Sequence, residues 1–106
     1  MAAASETGAK AVTHGRPAVV IVRDCDLLGH GGAADAALAN GLLGLVRALA
    51  TEGLREQWVV NMLAIETDTD AQAEEIAETV AFLSSSAASY VTGQVLVACG
   101  GRSIAP

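Results

Sequence analysis

Ala18-Val19-Val20-Ile21-Val22 is an unbroken apolar run in which four of the five residues are β-branched. A strand with one wet face alternates polar and apolar side chains. A run without alternation belongs to a strand covered on both faces, as in a parallel sheet. Two later stretches share this character: Trp58 to Ile65, interrupted only by Asn61, and Val95-Leu96-Val97-Ala98, closed by Gly100-Gly101. Helical spacing fills the gaps between them. From about Ala34 to Glu52, Leu38, Leu42, Leu45, Val46 and Leu49 recur at steps of three and four. Asp35 is expected to cap that helix, and Gly53 suits a left-handed residue at its end. Asn40, Gly41 and Gly44 are weak helix formers inside it, small enough to admit a second backbone. Ala73, Ile76, Ala77, Val80 and Leu83 form the apolar face of a second helix, with Glu74, Glu75 and Glu78 as its solvated face. Thr69 with Gln72 makes a capping box before it, and Ser84-Ser85-Ser86 ends it. Arg23 to Gly32 reads as a loop rich in Asp and Gly. The order strand, helix, strand, helix, strand implies right-handed crossovers and an α/β fold with a three-stranded parallel sheet. The open edges of so small a sheet need cover, and oligomerisation is expected to complete it.

Composition narrows the function classes. Twelve acidic against six basic residues give a net charge of −6, which repels phosphate backbones and argues against nucleic acid as a partner. Hydrophobic residues make up 52% of the chain but aromatic ones only 3%, so Ala, Val and Leu must build the core. So much aliphatic side chain on 106 residues suggests that some of it is buried against another subunit. No uninterrupted apolar run reaches bilayer length, so no membrane partner is expected. Residues 1–15 read as a flexible arm or helical stub, and residues 16–106 as the domain. The arm, which includes His14, lacks a basic start and apolar centre, so no export signal is read and a cytoplasmic location follows. Cys25 and Cys99 are then expected as thiols, and their positions make no metal pattern.

Glu74 to Gly101, EEIAETVAFLSSSAASYVTGQVLVACGG, closely resembles the C-terminal segment of the short-chain dehydrogenase/reductase family. Upstream, Gly44-Leu45-Val46-Arg47-Ala48-Leu49-Ala50 is similar to the helix after that family's active-site tyrosine. Trp58-Val59-Val60-Asn61 stands where the family has its arginine-valine-asparagine strand. The resemblance covers about residues 15 to 101 and implies a half-Rossmann sheet with flanking helices, the second half of a normal member. It also locates what has changed. Counting back without gaps, the tyrosine and lysine of the family's Tyr-x-x-x-Lys motif fall on Asp35 and Ala39. The catalytic serine falls near Val22, or with a small gap on Asp24 or Cys25. Ile65-Glu66 replaces the family's Pro-Gly. The chemistry needs a phenol as proton donor and a cation that lowers its pKa, and a carboxylate with a methyl group supplies neither. The family's glycine-rich phosphate loop lies before the point where the resemblance begins. No cofactor is therefore expected, nor hydride transfer by this chain alone.

Other candidate sites lie in the loop after the first strand. Gly29-His30-Gly31-Gly32-Ala33-Ala34 formally matches G-x-G-x-x-A, making Gly29, Gly31 and Gly32 candidates for holding a phosphate. The acidic stretch Arg23 to Leu28, however, separates them from the strand that should precede them. Asp24, Cys25, Asp26, His30 and Asp35 gather near the carboxyl edge of the sheet, where a His or carboxylate could act as base and Cys25 as nucleophile. The plainer reading makes them solvated loop residues. Trp58 either covers the start of its strand or marks an interface. Tyr90 fits a structural turn of the family. Two functions follow. The first is a non-catalytic module that self-associates as a homodimer or larger homo-oligomer, or docks on a full-length reductase, with Leu38, Leu42, Leu45, Val46 and Leu49 at the interface. The second is a small repurposed enzyme using the Asp24–Asp35 loop for acid/base chemistry. A shortened reading frame without activity of its own is the third, duller reading.

Overall fold

A computed structural model describes residues 17–66 and 73–101. The N-terminal arm with His14 and the Thr69–Gln72 capping box lie outside the described residues. The three aliphatic runs form strands β1 (Pro17–Arg23), β2 (Val59–Ile65) and β3 (Val95–Ala98). They lie parallel in the order β1-β2-β3, with Pro17 opposite Val59, Arg23 opposite Ile65, Met62 opposite Val95 and Ile65 opposite Ala98. The sheet is the expected one. The centre strand is buried over six of its seven residues, which accounts for its nearly continuous apolar sequence.

Helices cover both faces of the sheet. Even-numbered positions of β1 and β2, such as Ala18, Val60 and Met62, meet Val46 of helix α2 (Ala33–Glu52), with Leu42, Leu43 and Leu49 packed around them. Odd-numbered positions, among them Val19 and Leu63, meet Leu83 of helix α3 (Ala73–Leu83), joined by Ile76 and Val80. Period two in the strands and period 3.6 in the helices thus share one register. Each Val, Leu or Met so buried stabilises the fold by roughly 1.5–3 kcal/mol. A 3-10 turn, Ser86–Ala88, follows α3, and its last residue, Ala88, is buried.

The structure corrects several local expectations. The loop from Arg23 contains a short helix, α1 (Asp24–Leu27), because the chain turns directly off β1. Asp35 does not cap α2. Gly32 holds the cap position with no side-chain bond, and Asp35 sits in the first turn, where the helix dipole favours a carboxylate. Gly53 is not left-handed, at φ −91°. Its lack of a side chain answers to Trp58, since a Cβ at Gly53 would fall on the indole ring. Finally, α2 is long and apolar enough by length and composition to cross a bilayer, although no single apolar run suggested it. Its Ala39, Val46 and Ala50 are buried, and Val46 packs against the sheet.

Candidate functional site

β1 delivers Arg23 to the carboxyl end of the sheet, and α1 returns Asp26 beside it. Arg23 donates from Nε to Asp26 Oδ2 at 3.0 Å and from Nη2 to Asp26 Oδ1 at 2.9 Å, a two-bond fork. The hydrogen bond from Arg23 holds the Asp26 carboxyl below its ordinary value of 3.8, against a weaker opposing effect of desolvation. The same fork raises the Arg23 guanidinium. Asp24 is buried, and its Oδ1 accepts the Cys25 backbone N–H at 2.7 Å. Cys25 is half-buried, with Sγ 3.8 Å from Asp26 Oδ1. Neither Cys25 nor Cys99 is in a disulfide.

Beside the fork, between β1 and the first turns of α2, lies a cavity of about 410 Å³. Val22, Asp35, Ala39 and Ile65 all line it, together with Arg23 and Asp26. These first four are the positions onto which the ungapped reading carried the serine, tyrosine, lysine and post-strand proline of the resembled family. Local geometry gathers them as the resemblance requires, but the groups gathered are a methyl, two branched aliphatics and one carboxylate. Of the five clustered candidates, the cavity receives Asp26 and Asp35. His30 is exposed and does not line the cavity, and it is tied to the loop by its backbone N–H to Cys25 O at 2.8 Å. Asp24 and Cys25 do not line it either. The sequence reading had not singled out the Arg23–Asp26 fork, although the i, i+3 spacing of opposite charges was its signal.

The glycine loop is shaped by the same fork. Gly29 and Gly32 have φ of +87° and +100°, which favour glycine at both. Gly31 has no left-handed angle. A Cβ there would fall on the Asp26 carboxylate, so the close approach that Gly31 permits is taken by an anionic group. Backbone amides beside a carboxylate make a poor phosphate cradle. Among the described residues, no group of three His, Cys, Asp or Glu side chains could hold a metal ion.

The proposed interface stripe divides on inspection. Val46 is 1% exposed, and Leu42 and Leu49 pack against the core, whereas Leu38 and Leu45 are 66% and 50% exposed. A Cβ at Gly41 or Gly44 would meet nothing within 4 Å, so among the described residues no backbone uses their smallness.

Comparison with known proteins agrees with this geometry. Residues 44–103 match the family described as enoyl-(acyl carrier protein) reductase. The BbsC subunit of a hydroxy(phenyl)methyl-succinyl-CoA dehydrogenase from Thauera aromatica is 35% identical over 80% of this chain and 43% of its own length. The 3-oxoacyl-(acyl carrier protein) reductase FabG of Escherichia coli is 37% identical over 83% of this chain and 46% of its own. Among solved structures, a putative oxidoreductase from Escherichia coli superposes with a TM-score of 0.75 at 28% identity, covering 93% of this chain and 48% of that one. A Serratia marcescens short-chain dehydrogenase/reductase variant gives 0.70 at 29% identity, covering 85% and 44%. The chain spans less than half the length of the curated relatives it matches.

Proposed function

The chain belongs to the short-chain dehydrogenase/reductase family, and we propose that it acts there as a non-catalytic module, through contacts with a second copy or with a full-length reductase. One observation carries this reading. The cavity at the carboxyl end of β1 keeps the family's arrangement of positions while Asp35 and Ala39 stand where a phenol and a cation are needed. Among the described residues, the one cation lining the cavity, Arg23, is committed to Asp26.

The contact surface that supports the reading is the outer side of α2. Between Ala36 and Ala50 its only polar residues are Asn40 and Arg47, seven apart and on one side. The apolar arc is therefore wider than one sheet can cover, and Leu38, Gly41, Gly44, Leu45 and Ala48 are left in water. An apolar strip with small residues at its centre suits close packing of a second helix. The name of the Thauera relative, a dehydrogenase subunit, describes a protein that works as part of an assembly, and we carry that role to this chain.

Light scattering tests it. The chain is expected as a dimer or larger species, or in complex with an added family reductase, and Leu45→Glu should abolish either without unfolding the monomer. A monodisperse monomer that ignores the reductase, or NADH oxidation by the isolated chain, would overturn the proposal.

A further inference from the structure

β1 has the sequence of an interior strand and stands at an edge. Its Val20 and Val22 pack on the α2 side and its Val19 and Ile21 on the α3 side, so both faces are covered. One edge is paired with β2 over seven residues, and among the described residues no strand pairs with the other. The bonds between β2 and β3 show which groups that free edge presents. Val60 O accepts from Gly93 N at 2.7 Å and Met62 N donates to Gln94 O at 2.8 Å, so even-numbered residues of β2 face β3. Odd-numbered ones then face β1, and in a parallel ladder each bonds the two residues flanking its partner. With Val19 opposite Asn61 and Ile21 opposite Leu63, the bonded residues are Ala18, Val20 and Val22. Val19, Ile21 and Arg23 therefore aim both N–H and C=O outward, and Pro17 aims a carbonyl alone.

The side of α2 above that edge is aliphatic. Leu38 shares its cavity with Ile21, Val22 and Arg23 of β1. Arg47, on the other side of the helix, shares a cavity with Thr92, Gly93 and Gln94, which lead into β3. Leu45 follows Leu38 by about two turns and lies on the same side. Both are at least half exposed. The open strand edge and the uncovered leucines thus face in one direction.

We propose that a second copy of this chain adds its own β1 antiparallel to this one, joining the two sheets and setting α2 against its mate through Leu38 and Leu45. The inference rests on the self-association proposed above and names the surface that carries it. Two-fold symmetry selects a second copy, because such a contact must be complementary to itself. With Val20 on the axis, Val19 faces Ile21 of the second copy, and the two exchange both of their bonds. Arg23 N–H meets the Pro17 carbonyl of the second copy, so every outward N–H of β1 finds an acceptor. Each proline, lacking an N–H, leaves no donor stranded. The helices obey the same axis. Val22 stands beside Asp35, Leu38 and Ala39. Two strand residues back from it is about 6.6 Å, or about four helix residues, which places the axis near Leu42 of α2. Leu38 and Leu45 lie on either side of that level, so Leu38 comes opposite Leu45 of the second copy. The net charge of −6 on each copy opposes the encounter, and salt screens it beyond about 8 Å.

A dimer built this way protects amides that one copy alone leaves open. Hydrogen exchange at the Val19 and Ile21 N–H groups, read by NMR, should slow at least about tenfold as rising concentration converts monomer to dimer. Val20→Cys should lock the dimer through a disulfide under oxidised glutathione. Residues facing each other in a non-hydrogen-bonded antiparallel pair have Cα atoms about 4.5 Å apart, within disulfide reach. The unsubstituted chain, with its thiols at Cys25 and Cys99, is the control and should stay uncross-linked. A dimer whose Val19 and Ile21 amides exchange as in the monomer, and which Val20→Cys does not lock, would overturn the β1 pairing and leave association through α2 standing. A chain that stays monomeric at millimolar concentration would overturn both. Protection that arises only when a full-length reductase is added would overturn the second copy as the occupant of this edge.

Discussion

Arg23 and Asp26 show how one pair of side chains organises an entire loop. The fork fixes α1 against the end of β1, and Gly31 is the residue that can lie over it without displacing a carboxylate oxygen. A carboxylate whose folded pKa is depressed stabilises the fold fully above its unfolded value, near 3.9 for aspartate, and loses that contribution as pH falls through the folded value. Carbon NMR of the Asp26 carboxyl should therefore show a midpoint below the ordinary aspartate value, moving up in Arg23→Gln. Identical midpoints would mean that the fork does not form in solution. Asn61 is the second such residue, and its sequence context, one amide inside an aliphatic strand, was visible without its meaning. It is fully buried. Its Nδ2 donates to Val91 O at 2.8 Å and its Oδ1 accepts from Gln94 N at 3.0 Å, which pins the turn before β3 to β2. Asn61→Leu strands both backbone partners and should destabilise the fold by about 2–3 kcal/mol in urea melts. A loss within 0.5 kcal/mol, the usual scatter for surface changes, would show the turn held by other bonds.

At the level of elements, the strands and the two long helices were legible because periodicity is a long signal, repeated over seven to twenty residues. What stayed hidden depended on single long-range contacts. The Ala34–Glu52 pattern foretold α2, but no local rule tells that Gly53 is small for the sake of Trp58, five residues on. Nor does spacing reveal that Val46 faces the sheet while its neighbour Leu45 faces water, since both belong to one broad apolar arc. At the site, the ungapped count foretold that Asp35, Ala39 and Val22 would meet, whereas the exclusion of His30 needed the path of the glycine loop. The two sides of α2 make a paired test. Val46→Ala removes two methyl groups from a closed core and should cost about 2–3 kcal/mol, transfer and cavity together, with assembly unaffected at concentrations where the monomer is folded. Leu45→Glu should do the reverse, abolishing association with little effect on monomer stability. If Leu45→Glu unfolds the chain as Val46→Ala does, the outer side of α2 is core.

The molecule as a whole places two helix layers on a sheet with β1 and β3 at its edges. β1 offers seven residues, of which only Arg23 is charged, and it carries none of the interior lysines or bulges that blunt natural edges. A fold this small has little stability to spare, and its outer apolar strip on α2 adds nothing until covered. If association supplies that cover, folding and assembly are linked, and the melting midpoint must depend on protein concentration. For a dimer that unfolds to monomers, a tenfold change in concentration is worth about 1.4 kcal/mol, or about 0.7 per chain. With the usual entropy of unfolding for a domain of this size, that corresponds to about 3–5 °C per decade. The midpoint should rise by that amount between dilute and concentrated samples, and Leu45→Glu should flatten the slope to zero. A midpoint constant over two decades would show that no second copy covers the exposed strip on α2, which would then need a partner that is not another copy of this chain.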